Sequence, residues 1–141
     1  MATFTVPGEP TGKARPIVTK SGYAFTPQKT VLYENLVKLE YERQCGNVKC
    51  PKPKAVELEI FAYYAIPSSA SKKRQNWMRN GKIRPIKKPD ADNLCKIVAD
   101  SLNGIAYDDD AQIARCYVEK FYGDDPRIIV GVRELSDEKS C

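Results

Sequence analysis

The chain has 141 residues, of which 42% are hydrophobic, and this predicts a single globular domain with a sizeable core. It contains no histidine, which excludes Ser-His-Asp and Cys-His catalysis, a histidine general base and zinc sites built on imidazole. The net charge of +5 is uneven, because residues 1–89 carry 17 Lys/Arg and 6 Asp/Glu, whereas residues 90–141 carry 6 and 12. Either the solvated surface is simply uneven in charge, or a phosphate-binding half lies beside a metal-binding half.

The five cysteines are odd in number and form no C-x-x-C pair, so we expect reduced thiols and no disulfide framework. Cys95 and Cys116 are predicted to fill buried apolar positions. Cys45 and Cys50 could begin a zinc site, but the spacing of the remaining cysteines disfavours one. No apolar run is long enough to cross a bilayer, and the N-terminal residues lack a signal-peptide pattern, so we expect a cytoplasmic protein with no membrane partner.

The first third of the chain predicts a strand, a hairpin and a helix. Residues 2–6 alternate polar and apolar side chains, as a strand does. The segments 14–18 and 23–25 flank a Thr-Lys-Ser-Gly turn, which predicts a hairpin. Thr26-Pro27 then supplies a cap and a first-turn proline for a helix that runs to about residue 44. The inner face of this helix is predicted to carry Val31, Leu32, Leu36 and Leu39.

The middle of the chain predicts a strand followed by a short helix and a loop. Residues 56–66 are rich in β-branched and aromatic side chains, which is typical of a central strand. A short helix is expected at 70–79, because Asn-Gly follows it and can end it. The basic segment 82–89 is predicted to be a mobile loop.

The last third predicts a second long helix and two strands. The helix, at 92–102, has an apolar stripe made of Leu94, Ile97, Val98 and Leu102. Strands at 114–122 and 127–135 are joined by a Gly-Asp-Asp-Pro turn, which indicates a closing hairpin. We therefore expect one α+β domain over residues 1–135, a mixed sheet packed with helices, followed by a polar tail at 136–141.

Carboxylates are crowded at and after the start of this second long helix. Asp90 and Asp92 lie where an extended segment enters the helix, so both can face the same ion. Lys96 and Asp100 follow at intervals of one turn, and Asp108–Asp110 lie beyond the helix. Each feature alone has an ordinary explanation as a helix cap, an i,i+4 ion pair or a solvated turn. Together they indicate oxygen ligands for Mg²⁺ or Mn²⁺.

The segment 88–112 resembles the core of the RusA-type Holliday-junction resolvases, small nucleases of bacteria and their prophages. The family pattern D-x-D-N-L-x-K, followed by an acidic pair, a small residue and Gln, matches Asp90, Asp92, Asn93, Leu94, Lys96 and then Asp109-Asp110-Ala111-Gln112. A weaker likeness extends to residues 12–16 and 25–27 and to the basic stretch before the motif. Asp108 makes a run of three acids where the family usually has two.

This resemblance implies a Mg²⁺-dependent endodeoxyribonuclease, with Mn²⁺ as a possible substitute and no small-molecule cofactor. It implies a homodimer that resolves a four-way DNA junction by paired nicks. By the same resemblance, the metal-binding acids are Asp90, Asp92 and Asp110, the catalytic lysine is Lys96, and Asp100 and Asp109 are supporting acids.

A run of cations without any acid lies between residues 67 and 89, and it suits a DNA phosphate backbone. The candidate DNA-binding residues in this run are Lys72, Lys73, Arg74, Arg79, Lys82, Arg84, Lys87 and Lys88, to which Lys13 and Arg15 of the early hairpin are added. Trp77 lies within the run and either stacks on a base or packs its short helix on the core.

Two other functions compete with the nuclease. One is a DNA-binding protein or regulator without catalysis, in which the acids only cap helices and aid solubility. The other is a Ca²⁺-binding module, but a Ca²⁺ loop that began at Asp90 would need Gly and Glu where Cys95 and Ser101 stand, so we set it aside.

Overall fold

A computed structural model describes residues 2–135, so the predicted tail at 136–141 lies outside the described residues. Within that range the fold is α+β, as predicted. The elements are β1 (Ala2–Pro7), β2 (Ile17–Val18), β3 (Ala24–Phe25), α1 (Gln28–Cys45), β4 (Ala55–Ala65), α2 (Lys72–Arg79), α3 (Ala91–Ser101), a 3₁₀ turn (Asp110–Gln112), β5 (Ile113–Gly123) and β6 (Arg127–Leu135). In the described range no helix combines the length and the apolar character that a membrane span requires.

The main sheet has the strand order β1-β6-β4-β5, and β4 is central, as predicted. β4 runs parallel to β5 and antiparallel to β6, while β1 pairs antiparallel with β6. The expected closing hairpin is therefore wrong, because β4 lies between β5 and β6. The turn after Gly123 crosses two strand spacings, about 10 Å, which the three residues before Arg127 are long enough to span.

One face of this sheet carries the core, and α1 and α3 cover it. The alternate residues of β4 from Val56 to Tyr64 are buried, as expected for a strand with one face in the core. The predicted apolar stripe of α3 is confirmed, since Leu94, Ile97, Val98 and Leu102 are all fully buried.

The predicted inner face of α1 is wrong. Leu32 and Leu39 are each 59% exposed, Val31 is exposed and Leu36 is only partly buried. The buried face is instead made of Thr30, Tyr33, Val37, Glu40 and Tyr41. Polar contacts near the end of the helix fix its rotation. The Gln44 side chain bonds to both the N–H and the C=O of Thr5 on the sheet edge, at 2.9 and 2.8 Å, and also binds Glu40 at 2.7 Å.

Cys95 and Cys116 are paired in a disulfide, contrary to the prediction of reduced thiols and of two buried apolar positions. Cys116 lies opposite Leu58 in the sheet register and so belongs to the face that α3 covers, with 6.9 Å between the two Cα atoms. Because β5 is an edge strand, Cys116 is exposed and Cys95 only partly buried.

The predicted early hairpin is confirmed and projects from the rest of the domain. Residues 14–25, here called the arm, are exposed throughout, and β2 pairs with β3 inside it. The arm is anchored where the N–H of Ala14 donates to Thr30 Oγ1 of α1 at 3.3 Å. Four large apolar side chains of the arm face solvent: Ile17, Val18, Tyr23 and Phe25.

Candidate active site

Asp90 and Asp92 stand at the start of α3 with their carboxylates exposed. Asp90 is the N-cap residue, but its side chain makes no capping hydrogen bond, and Asp92 lies in the first turn. Among residues 2–135 neither side chain is engaged in an ion pair or hydrogen bond. The helix dipole favours negative charge at this end. Both carboxylates therefore remain available for a ligand.

The backbone before Asp90 is held from two sides. The Tyr64 hydroxyl donates to the carbonyl of Pro89 at 2.6 Å. On the other side Gly12 lies so close to α3 that a Cβ there would be 2.8 Å from the Cβ of Pro89 and 3.0 Å from that of Asn93. Glycine is therefore needed at position 12 for the N-terminal segment to pack against the start of α3.

Lys13, predicted to bind DNA, is held by two carboxylates. Its Nζ atom lies 2.7 Å from Glu34 on α1 and 3.3 Å from Asp100 on α3. Burial disfavours the charge on Lys13, but the hydrogen bonds and charges of Glu34 and Asp100 outweigh it and raise the pKa of the ammonium. Lys13 therefore ties the N-terminal segment to α1 through Glu34 and to α3 through Asp100.

Lys96 lies on the exposed side of α3, one turn beyond Asp92. The ordinary explanation for this pair was an i,i+4 salt bridge. That bridge is absent from the described part of the chain, where no carboxylate lies within ion-pair distance of Lys96. Its ammonium is thus free to meet a phosphate, and its catalytic role stays a prediction.

The three acids after α3 are used differently from one another. Asp108 accepts a hydrogen bond from the N–H of Lys52 at 3.0 Å and pairs with Lys49 at 3.0 Å. Asp109 caps the 3₁₀ turn by accepting from the N–H of Ala111 at 3.1 Å. These contacts hold the loop after α3, and the supporting role predicted for Asp109, whose side chain also bonds that of Asp110, stays a prediction.

Asp110 has no cation partner within residues 2–135. Its backbone N–H donates to the Asn103 side chain at 3.1 Å, which places it at the C-terminal end of α3. Desolvation, together with the carboxylates of Asp109 and Asp100, raises the pKa of Asp110. A bound cation would relieve this crowding of like charges.

The proposed metal ligands are not gathered within one chain. Asp90 and Asp92 lie at the N-terminal end of α3 and Asp110 lies at the other end. The helix rises about 12 Å over the eight residues from Asp92 to Asp100, and it is the Asp100 end of α3 whose charge reaches Asp110. No three His, Cys, Asp or Glu side chains between residues 2 and 135 lie close enough to hold a metal ion together.

The cations before α3 fall into two groups. Arg79 binds Asp124 at 3.1 Å, and Arg84 binds Glu119 at 3.0 Å and lies 4.3 Å from the ring centroid of Phe121, so both are engaged inside the domain. The second group has exposed side chains with no ion pair among the described residues, and it consists of Lys72, Lys73, Arg74, Lys82, Lys87 and Lys88. Arg15 of the arm is exposed and unpaired in the same way within this range. Their contact with DNA stays a prediction.

Trp77 is partly buried, whereas Met78 is the buried residue of α2. The Lys73 ammonium lies 5.0 Å from the centroid of the Trp77 ring. Trp77 is therefore neither a fully buried core residue nor a fully exposed ring for stacking on a base, because it is only partly buried.

Lys120 lies next to the candidate site but was not predicted from the sequence to belong to it. Its Nζ atom donates to the carbonyl of Lys87 at 2.6 Å and lies 5.0 Å from the centroid of the Tyr64 ring. Burial lowers the pKa of Lys120, and the nearby charge of Asp90 opposes that shift. The alternation of side chains along β5 could have identified Lys120. It pairs with the buried Ala62 and so faces the helices, where an apolar side chain is expected.

Comparison with known proteins agrees with the resemblance found in the motif. The family model described as Endodeoxyribonuclease RusA matches residues 7–133. The chain belongs to the RusA family. It is also 33% identical to the uncharacterized protein YqaN of Bacillus subtilis (strain 168). The aligned 136 residues cover 94% of this chain and 96% of that protein. RusA membership supports an endodeoxyribonuclease that acts on Holliday junctions.

Proposed function

We propose that this RusA-family protein is a Mg²⁺-dependent endonuclease that resolves four-way DNA junctions by paired nicks. The family match over residues 7–133 carries the reaction class. The free carboxylates support it, because Asp90, Asp92 and Asp110 lack cation partners in the described range, whereas Asp100, Asp108 and Asp109 have them. Among the six aspartates between residues 90 and 110, the three without a cation partner are therefore the three that the resemblance assigns to the metal.

The donor set fits the proposed cation. Asp90, Asp92 and Asp110 offer only carboxylate oxygens, the hard ligands that Mg²⁺ prefers. When bound, Mg²⁺ would lower the pKa of a coordinated water and stabilise charge on the phosphoryl oxygens. Lys96 would add a positive charge on the same exposed side of α3 and so favour the charge that develops on a scissile phosphate.

We further propose that each metal site is completed by a second copy of the chain. In an antiparallel pair of α3 helices, Asp92 of one copy approaches Asp110 of the other, whereas one chain alone keeps them at opposite ends of α3. Because α1 and α3 cover the same face of the sheet, one interface can include both helices. The exposed Leu32 and Leu39 of α1 and the exposed apolar side chains of the arm support a contact between copies, since a monomer leaves them all in water.

The activity is tested with a labelled four-way junction and a linear duplex of the same arm sequence, each with and without Mg²⁺. We expect symmetric nicks in the junction only when Mg²⁺ is present, and little cutting of the duplex. Asp90→Asn is the matched control, because it removes one ligand charge from an exposed carboxylate that has no structural partner in the described region. Metal-independent cutting, or equal cutting by Asp90→Asn, would contradict the proposal.

Binding of DNA without catalysis is the second candidate. The observation that favours it is that no three potential ligands meet within the described part of one chain. The same assay separates the two, because a pure binding protein retards the junction in a gel but leaves both strands intact at every Mg²⁺ concentration.

A further inference from the structure

The loop between α2 and α3 presents one almost fully exposed apolar side chain. Ile86 is 97% exposed, more than any other large hydrophobic residue between residues 2 and 135. Single exposed apolar residues are common on protein surfaces and mean nothing by themselves. The contacts of the residues around Ile86 therefore decide whether this exposed side chain can be assigned a function.

The chain before Ile86 is fastened to the sheet. The Arg84 guanidinium donates to the carboxylate of Glu119 at 3.0 Å and to the carbonyl of Lys120 at 2.9 Å, and it lies over the ring of Phe121. Pro85 is buried. One residue before the exposed side chain, the loop is therefore part of the packed domain.

The chain after Ile86 is fastened as well. Lys120 donates to the carbonyl of Lys87 and Tyr64 donates to the carbonyl of Pro89, both at 2.6 Å. Contacts on both sides contradict the expectation of a mobile loop, because they hold the side chain of Arg84 and the backbone carbonyls of Lys87 and Pro89. Ile86 is thus an apolar tip on a braced support.

The tip lies between DNA-binding groups and the candidate metal ligands. Lys87 and Lys88, the next two residues, are exposed cations suited to the phosphates on either side of a base step. Asp90 follows Ile86 by four residues, which limits their separation to about 14 Å of extended chain. A strand whose phosphate reaches Asp90 therefore has bases one or two nucleotides away within reach of Ile86.

We propose that Ile86 is a wedge that enters the base stack at the branch point and holds the junction open next to the scissile phosphate. This inference rests on the proposed function and extends it to the shape of the substrate. An aliphatic side chain inserted between base steps unstacks them, and the branch point is where stacking is weakest. The flanking lysines favour DNA over a second copy of this basic segment, which would bring like charges together.

The test uses a four-way junction with 2-aminopurine at the branch point, a base whose fluorescence rises when it is unstacked. Ca²⁺ replaces Mg²⁺, so that binding is measured without cleavage. We expect the wild type to raise the fluorescence and Ile86→Ala to lose most of the rise, with its affinity changed by less than about threefold. Val48→Ala is the matched control, since Val48 is also an exposed aliphatic residue but lies outside the basic segment. It should behave as the wild type.

Cleavage in Mg²⁺ supplies a second measurement. Ile86→Ala should cut a fully paired junction about tenfold more slowly, and should regain the wild-type rate on a junction with two unpaired bases at the branch point. An unchanged fluorescence rise in Ile86→Ala, an equal loss on both junctions, or a change of oligomeric state in sedimentation overturns the wedge. Failure of the proposed function is distinguishable, because the wild type would then cut neither junction in Mg²⁺.

Discussion

Asp92 and Asp108 are two carboxylates of one motif segment with opposite surroundings. Asp108 accepts the backbone N–H of Lys52 and pairs with Lys49, and these contacts hold its pKa below the usual range for aspartate. Asp92 has no such partner in the described structure. The charge of Asp108 is used by hydrogen bonds and an ion pair, whereas that of Asp92 meets only the dipole of α3 and remains accessible to a ligand.

This contrast predicts opposite effects of the same substitution at the two positions. Asp92→Asn should lower the junction-cleavage rate on the order of 100-fold or more with only a small change in melting temperature, because it removes a ligand charge and, of the fold, only an interaction with the α3 dipole. Asp108→Asn should lower the melting temperature and leave most of the cleavage rate. Single-turnover cleavage and thermal unfolding measured side by side check both, and normal cleavage by Asp92→Asn would remove it from the site.

Glu57 shows a carboxylate used for the sheet alone. Its buried side chain lies 2.9 Å from the guanidinium of Arg115 and also contacts that of Arg133, on the two strands that flank β4. The hydrogen bond from Arg115 and the approach of Arg133 lower the pKa of Glu57, although desolvation opposes the shift.

Glu57 therefore makes stability depend on acidic pH. A folded-state pKa below the unfolded value adds stability above the unfolded pKa, and that stability is lost as pH falls through the folded pKa. We expect the free energy of unfolding of the wild type to fall between about pH 5 and pH 3 more steeply than that of Glu57→Gln. Urea unfolding across this range checks it, and parallel pH curves would exclude Glu57 as a source of the dependence.

At the scale of elements, regular patterns were predicted well and rotations set by polar contacts were not. The stripe of α3 repeats at helical spacing and faces the core as expected. In α1 the leucines predicted the buried face wrongly. The hydrogen bonds between Gln44 and Thr5 accompany a rotation of the helix in which Tyr33, Val37 and Tyr41 are buried instead. Such contacts join residues 39 positions apart, and no local pattern contains them.

Contacts between distant residues also limit what can be predicted for the basic segment, which in the sequence is a uniform run of cations. Its partners, Asp124 for Arg79 and Glu119 for Arg84, lie on or after β5, far along the chain. Only the folded molecule divides the run into cations that hold the domain together and cations that find no ion-pair partner among residues 2–135.

This division predicts two classes of charge variant. Replacing Lys72, Lys73 and Arg74 together by Gln should weaken junction binding and flatten its dependence on salt, because up to three phosphate contacts are lost. Arg84→Gln, the matched control, should instead lower the melting temperature, because it breaks the contacts with Glu119 and Phe121. Binding titrations at several salt concentrations, run with thermal melts, check both, and an unaltered salt slope in the triple variant would refute its phosphate contacts.

At the scale of the whole molecule, the motif named the candidate ligands and the resemblance implied a homodimer, but neither predicted that α3 would separate Asp92 from Asp110. The spacing between Asp92 and Asp110 in the sequence is compatible with a meeting inside one chain. In the folded chain α3 stands between them as a rigid spacer, and the loop after it ends beside Asp100 and Asn103. We therefore propose that a second copy brings Asp92 and Asp110 together, because this arrangement leaves α3 intact.

Mixing two inactive variants tests this account most directly. Asp92→Asn and Asp110→Asn are each expected to abolish cleavage as homodimers. If each metal site takes Asp92 from one chain and Asp110 from the other, the mixed dimer contains one site with both aspartates and one site with neither. We therefore expect mixing and exchange of subunits to restore nicking at one of the two positions in the junction. No recovery in mixtures shown to contain heterodimers would contradict the shared site, because sites built within single chains stay broken in every combination.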